Sequence, residues 1–124
     1  MPTTEPSPLL NRSKQFALRT IRLVESLPRK RASGVIGKQL LRAATSVGAN
    51  YRAACRGRSR AEFCAKLGIV EEEADECVYW LELVMVSGLL KKELVEKLHD
   101  EATEILKMVV ASIRTARPSP RSQR

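Results

Sequence analysis

The chain has 124 residues, 44% of them hydrophobic and only 4% aromatic, with a formal net charge of +8. That length predicts one domain, able to bury roughly two thirds of the surface its unfolded chain exposes. Leu, Val, Ala, Glu, Lys and Arg suit helices better than sheets, and no apolar run approaches the ~20 residues needed to cross a bilayer.

The chain starts with MPTTEPSPLL, which lacks the basic start and apolar core of a signal peptide. Pro2, Pro6 and Pro8 predict a disordered tail over residues 1–10. A first helix is expected from about Asn11 to Leu27, with Phe16, Thr20, Leu23 and Leu27 inward, beside Ala17, Ile21 and Val24. Pro28 ends it, and RKRASG connects to a second helix from about Gly34 to Arg56. The apolar line of that helix is Ile36, Leu40, Ala43, Val47, Asn50 and Ala54. A neighbouring line of Gly37, Leu41, Ala44, Gly48, Tyr51 and Cys55 is mostly small and lets other backbones approach. Asn50, polar on an apolar line, needs a hydrogen bond if it is buried, and a structural role is expected for it.

Gly57 suits the position after the second helix. In SRAE, Ser59 caps a third helix while Glu62 reaches back. Phe63, Leu67, Val70, Ala74, Cys77, Leu81 and Val84 form its unbroken 4-3-4-3-4-3 series, and Gly88 ends it. A fourth helix is expected over about Lys91 to Thr115, with Leu94, Leu98, Ala102, Ile105, Val109 and Ile113 inward. The expected fold is all-α, an antiparallel up-down-up-down four-helix bundle over residues 11–116, with a disordered basic tail at 117–124. Cys55, Cys64 and Cys77 form no C-x-x-C pair and read as reduced thiols of a cytoplasmic protein.

Two motifs raise the possibility of metal chemistry. EEEADE places five carboxylates between Glu71 and Glu76, and EKLH sets Glu96 three residues before His99, as in di-iron bundles. Helical phase argues against both. At 100° per residue Glu72 lies opposite the inward line, Asp75 and Glu76 lie well outside it, and Glu71 and Glu73 sit on its flanks. Glu96 falls at the back of the fourth helix and His99 off its core line. With no nucleophile–base pair and no phosphate-binding glycine loop, neither an enzyme nor a cofactor or metal site is expected. Ile69, Tyr79, Trp80 and Leu83 also leave the core line of the third helix. Together with Glu72, Glu73 and Glu76 they read as a subunit interface; the alternative for Trp80 is a place covering the edge of the core.

Charge is unevenly distributed. Residues 1–60 carry 13 Lys/Arg against 2 acids, residues 61–100 carry 4 against 10, and residues 101–124 carry 5 against 2. Arg12, Arg19, Arg22 and Arg29 stripe the first helix, and Lys38, Arg42, Arg52 and Arg56 stripe the second. Arg58 and Arg60 continue that second stripe. Such arrays can neutralise phosphates with little sequence preference; equally, they can be solvated or paired with acids of a neighbouring subunit. Stacking platforms for bases are missing.

The stretch LLRAATSVGANYRAACRGRSRAEFCAKLGIVEEEADECVYWLELV, Leu40 to Val84, resembles the four-helix bundle family of 23S rRNA-intervening sequence proteins. The likeness extends from about Phe16 through ASIRTAR, and Ser46, Asn50, the RSRAEF cap, Glu72 and Glu76 are its most specific parts. Many members read Asn-Ile-Ala-Glu-Gly after the Ser. Asn50-Tyr51-Arg52-Ala53-Ala54 lacks that Glu, so no role tied to it carries over. The resemblance implies a small bacterial cytoplasmic bundle that assembles as a ring, typically a homopentamer, without known catalytic residues. A related bundle is a basic accessory subunit of reverse transcriptases. RNA or another nucleic acid is therefore one expected partner, beside further copies of the chain. The alternative is a protein-interaction scaffold or accessory subunit.

Overall fold

The computed structural model describes residues 7–117 and places four helices there: α1 (Pro8–Glu25), α2 (Arg31–Cys55), α3 (Arg60–Val86) and α4 (Lys92–Ala116). Among the described residues there is no strand. Each helix packs against two others, in the cyclic order α1, α2, α3, α4, and the α1–α4 seam is the thinnest.

The directions follow from contacts and reach. Gly37 lies beside Val24 and Leu27, and Gly48 beside Ser13, so α2 runs back along α1. Arg42 meets Glu73 and Glu76 while Gly57 meets Glu62 and Phe63, which turns α3 back along α2. The five residues between α3 and α4 reach at most ~18 Å, whereas a helix of the length of α4 spans about 37 Å. Packed neighbours joined so briefly must be antiparallel. This is the up-down-up-down arrangement that the sequence predicts.

Two helices start earlier than expected. The first helix begins at Pro8, three residues before Asn11. Ser7 accepts a hydrogen bond from the Leu9 amide at 3.2 Å, and proline sits at the first helical position, where its missing N–H costs nothing. Leu9 is 3% exposed and Leu10 half-buried against the core, so residues 7–10 belong to the bundle. The rest of the expected tails, residues 1–6 and 118–124, lies outside the described residues. The second helix starts at Arg31, absorbing the last four of the six residues of the expected connector.

At the α2–α3 corner, Ser59 Oγ accepts from the Glu62 amide at 3.1 Å, and Glu62 Oε2 accepts from the Arg58 amide at 2.6 Å. This is the anticipated reciprocal cap, with the glutamate reaching one residue further back than in the usual box. Gly57 is required by closeness: a Cβ there would meet the Ala54 carbonyl at 3.1 Å and the Phe63 amide at 3.3 Å. The left-handed backbone is found at Gly88, φ 76°, just after α3.

The core comes from one stripe per helix. Leu9, Phe16, Thr20 and Leu23 face Leu40, Ala43, Ala44, Val47 and Tyr51, and then Leu67 to Val84 on α3. Two inward lines need correction. On α4, Leu94 is 65% exposed and Val95 is buried in its place, because Val95, Leu98, Ala102, Ile105 and Val109 keep the 3-4 alternation and Leu94 breaks it. On α2, Leu40, Ala43, Val47 and Ala54 are buried as expected, but Ile36 and Asn50 are only half-buried, and Gly37, Ala44 and Tyr51 of the neighbouring line join the buried set. The small line thus carries much of the burial, since small residues let α1 close on α2. Ile21, set beside the inward line of α1, is exposed.

Candidate nucleic-acid interface

The basic side chains fall into two groups. Arg12 and Arg42 hold helices together. Arg12 extends from α1 to α4, where Nε and Nη2 donate to the two oxygens of Glu101 at 2.9 and 2.8 Å. Arg42 forks from α2 to α3, with Nη1 on Glu73 at 2.9 Å and Nη2 on Glu76. Trp80 Nε1 also donates to Glu76, at 3.0 Å. The sequence reading put both arginines in a phosphate-binding array and both glutamates at a subunit interface. The fold instead pairs them within one chain, because neighbouring stripes of opposite charge face each other across a helix seam. Trp80 is half-buried and packs on the core edge, with its ring edge-on to Tyr79 at a centroid distance of 5.1 Å.

The acid run therefore divides. Glu73 and Glu76 are used inside the chain, whereas Glu72 and Asp75 are exposed without an ion pair among the described residues. Around Glu72, Ile69 and Tyr79 are exposed and Leu83 is half-buried, leaving an apolar and acidic outer face on α3. His99 is half-buried and contacts Glu82 across α3–α4 at 3.1 Å, with no partnership to Glu96. Among the described residues no three His, Cys, Asp or Glu side chains come together as a metal-binding group, and no helix is long and apolar enough to cross a membrane. Cys77 is buried, and burial raises its thiol pKa well above the ordinary value.

The paired carboxylates make a pH prediction. Glu76 is held below the usual carboxylate range by hydrogen bonds from Arg42 and then Trp80, and Glu101 likewise by Arg12. A depressed folded-state pKa contributes stability that is complete above the unfolded value of ~4.3 and is lost as pH falls through the folded value. The thermal midpoint is therefore expected to decline from about pH 5 downward. An Arg12→Ala/Arg42→Ala variant is expected to start lower at pH 7 and decline less steeply over the same window. Parallel melting curves for the two proteins between pH 7 and 3 would refute this linkage.

The second group is free. Arg19, Arg22, Arg29, Lys38, Arg52, Arg56, Arg58 and Arg60 are exposed and form no ion pair among the described residues. Arg52 and Arg56 edge a groove of about 640 Å³ between α1 and α2. Lys14 and Asn11 complete the edge from α1, and Ser13, Ala17, Gly48 and Ala49 form part of the lining. Neither Lys14 nor Asn11 belongs to the arginine stripe that the sequence shows on α1. Their place opposite Arg52 depends on how closely α1 approaches α2. A signal was present in the Gly37–Gly48 line, which marks that approach.

Residues 7–111 match the family model for 23S rRNA-intervening sequence protein. The chain belongs to that family. Its match begins nine residues before the expected Phe16, at the N-cap of α1, and stops at Ala111, short of Arg117. A solved structure similar to this family member is that of a protein with unknown function from the S23 ribosomal protein family of Bacteroides thetaiotaomicron. It is 38% identical, covers 85% of this chain and 97% of its own, and superposes with a TM-score of 0.79. No curated protein matches. Neither comparison points to an enzyme family.

The residues carrying the family resemblance have unequal structural roles in this 23S rRNA-intervening sequence protein. Asn50 Nδ2 donates to the Ser46 carbonyl one turn back at 2.9 Å, so its polar group is satisfied within α2 and sets no contact between helices. Glu76 belongs to the Arg42 network, and Ser59 and Glu62 build the cap. Glu72 alone is exposed without a partner among the described residues.

Proposed function

We propose that this bundle is a non-enzymatic cytoplasmic protein that assembles as a homopentameric ring and binds RNA or another nucleic acid on its basic outer surface. The observation that carries this reading is the unpaired state of eight exposed cations on the two basic stripes. Acids of the same chain neutralise Arg12 and Arg42 but, among the described residues, leave Arg19, Arg22, Arg29, Lys38, Arg52, Arg56, Arg58 and Arg60 without partners. A surface of this kind attracts polyanions by releasing their counterions, without reading bases.

Assembly is supported by a different face. Exposed Ile69 and Tyr79 beside Glu72 on α3 combine apolar area with charge, as subunit interfaces do. This face also favours a second reading, a scaffold or accessory subunit whose partner is protein. Native mass spectrometry with and without RNA separates the two. A ring that gains mass with RNA supports nucleic-acid binding. A ring that gains none at low salt supports the scaffold, and a monomer at micromolar concentration removes the assembly.

A further inference from the structure

The groove between α1 and α2 combines charge, donors and space in a way no single helix does. Lys14 enters from α1, and Arg52 and Arg56 stand one turn apart on α2. All three are without ion pairs among the described residues, and no carboxylate lines the groove. The neutral lining includes Ser7, whose oxygen already accepts from the Leu9 amide and from the Tyr51 hydroxyl at 2.7 Å. Its own O–H is thereby left as a donor. The groove thus presents three cations and no carboxylate, with Thr45, Gly48 and Ala49 leaving room beside them.

We propose that this α1–α2 groove is where the phosphodiester backbone of a nucleic acid sits, held between Lys14 on one side and Arg52 and Arg56 on the other. The proposal rests on the nucleic-acid reading above and gives it a location. Length argues for a polymer over a single phosphate. Exposed Lys38 lies on α2 about 27 Å along the axis from Arg56, and Arg58 and Arg60 extend the charge past the helix end. The side chains argue against an acidic protein helix. Apart from Leu10, the groove lining lacks the large apolar or aromatic anchors on which protein interfaces concentrate their binding energy. Sequence-independent contact with the sugar-phosphate chain is what the lining can provide.

The test is fluorescence anisotropy with a labelled 20-nucleotide RNA, titrated at several salt concentrations, and with labelled polyglutamate as the acidic-polypeptide probe. Three neutralised phosphates contribute about 2 to the slope of log affinity against log salt for a single strand. Lys14→Ala/Arg52→Ala/Arg56→Ala is therefore expected to flatten the slope by about 2 and weaken binding at least tenfold near 0.1 M salt. Lys91→Ala/Lys92→Ala, two exposed cations at the start of α4 outside the basic surface described above, should change it less than threefold. Ala49→Trp, which fills the groove and leaves the charge unchanged, should also weaken RNA binding. Circular dichroism melting of each variant separates lost binding from lost fold. Wild-type binding that survives the triple substitution but disappears with Arg19→Ala/Arg22→Ala overturns the location and leaves the nucleic-acid reading standing. Wild type that fails to bind RNA at low salt overturns both. Polyglutamate bound as tightly as RNA, through the same three residues, assigns the groove to an acidic protein and overturns the proposal.

Discussion

Phe16→Ala is expected to destabilise the bundle by about 4 kcal/mol, because a large aromatic side chain is removed from a site that cannot close over the space. Phe16 is 1% exposed, and it is the largest of the completely buried side chains. With total stabilities of about 5–15 kcal/mol for domains of this kind, the loss is a large fraction of what holds the chain folded. At a urea dependence of about 2 kcal/mol per molar, the unfolding midpoint should drop by about 2 M. Leu94→Ala makes the matching control. Periodicity placed Leu94 inward, but its exposure predicts a change within about 0.5 kcal/mol. A loss above 2 kcal/mol at Leu94 would mean that the phase of α4 described above is wrong.

Gly37→Leu is the second large effect, and its sign is decided by two opposing terms. Replacing a helical glycine recovers about 1 kcal/mol of backbone entropy. At this position even a Cβ would lie 3.2 Å from Leu27 Cδ1 and from Val24 Cγ1, so a leucine drives α1 away from α2. Overpacking of this kind costs about 1–3 kcal/mol, and the number of carbons added to a seam already in contact puts the cost at the upper end. The net expectation is a loss of about 2 kcal/mol, or about 8 °C in thermal midpoint. Gly34→Ala, three residues earlier with open space around it, should instead stabilise by about 0.5–1 kcal/mol. If both substitutions move the midpoint the same way, close approach of α1 to α2 is not what selects glycine at position 37. Because Lys14 and Arg52 face each other across the same pair of helices, Gly37→Leu should also weaken any ligand held between them.

Much of the bundle was legible because helix formation is local. The 4-3 series from Phe63 to Val84 and the Ser59–Glu62 cap each depend on residues within a few turns, and both hold in the structure. Even the error at α1 was local: Ser7 and Pro8 are a capping serine and a first-turn proline, yet clustered prolines were read as a tail. Leu94 illustrates a different limit. Phase read from one helix tolerates a neighbouring solution, and the packing of α4 against α3 selects Val95.

The charges show where one-dimensional reading ends. Two basic stripes and an acidic run were visible, and phase alone turned the carboxylates away from a metal site. What phase could not supply is the rotation of one helix about its axis relative to the next. That rotation brings Arg42 to Glu73 and Glu76, and Arg12 to Glu101, so four residues expected at external surfaces become internal ties. It also brings Lys14 opposite Arg52, a pairing that no spacing along the chain records.

By itself the sequence determined four amphipathic helices, their order, the cap at Ser59 and the family, since each follows from contacts within a helix or from a contiguous motif. Only the tertiary structure decided which cations are spent inside the bundle and which remain free, because ion pairing between helices depends on distances of a few ångströms across packed seams. The α1–α2 approach that forms the groove is likewise tertiary, set by small residues such as Gly37 and Gly48, whose effect is felt on the helix opposite.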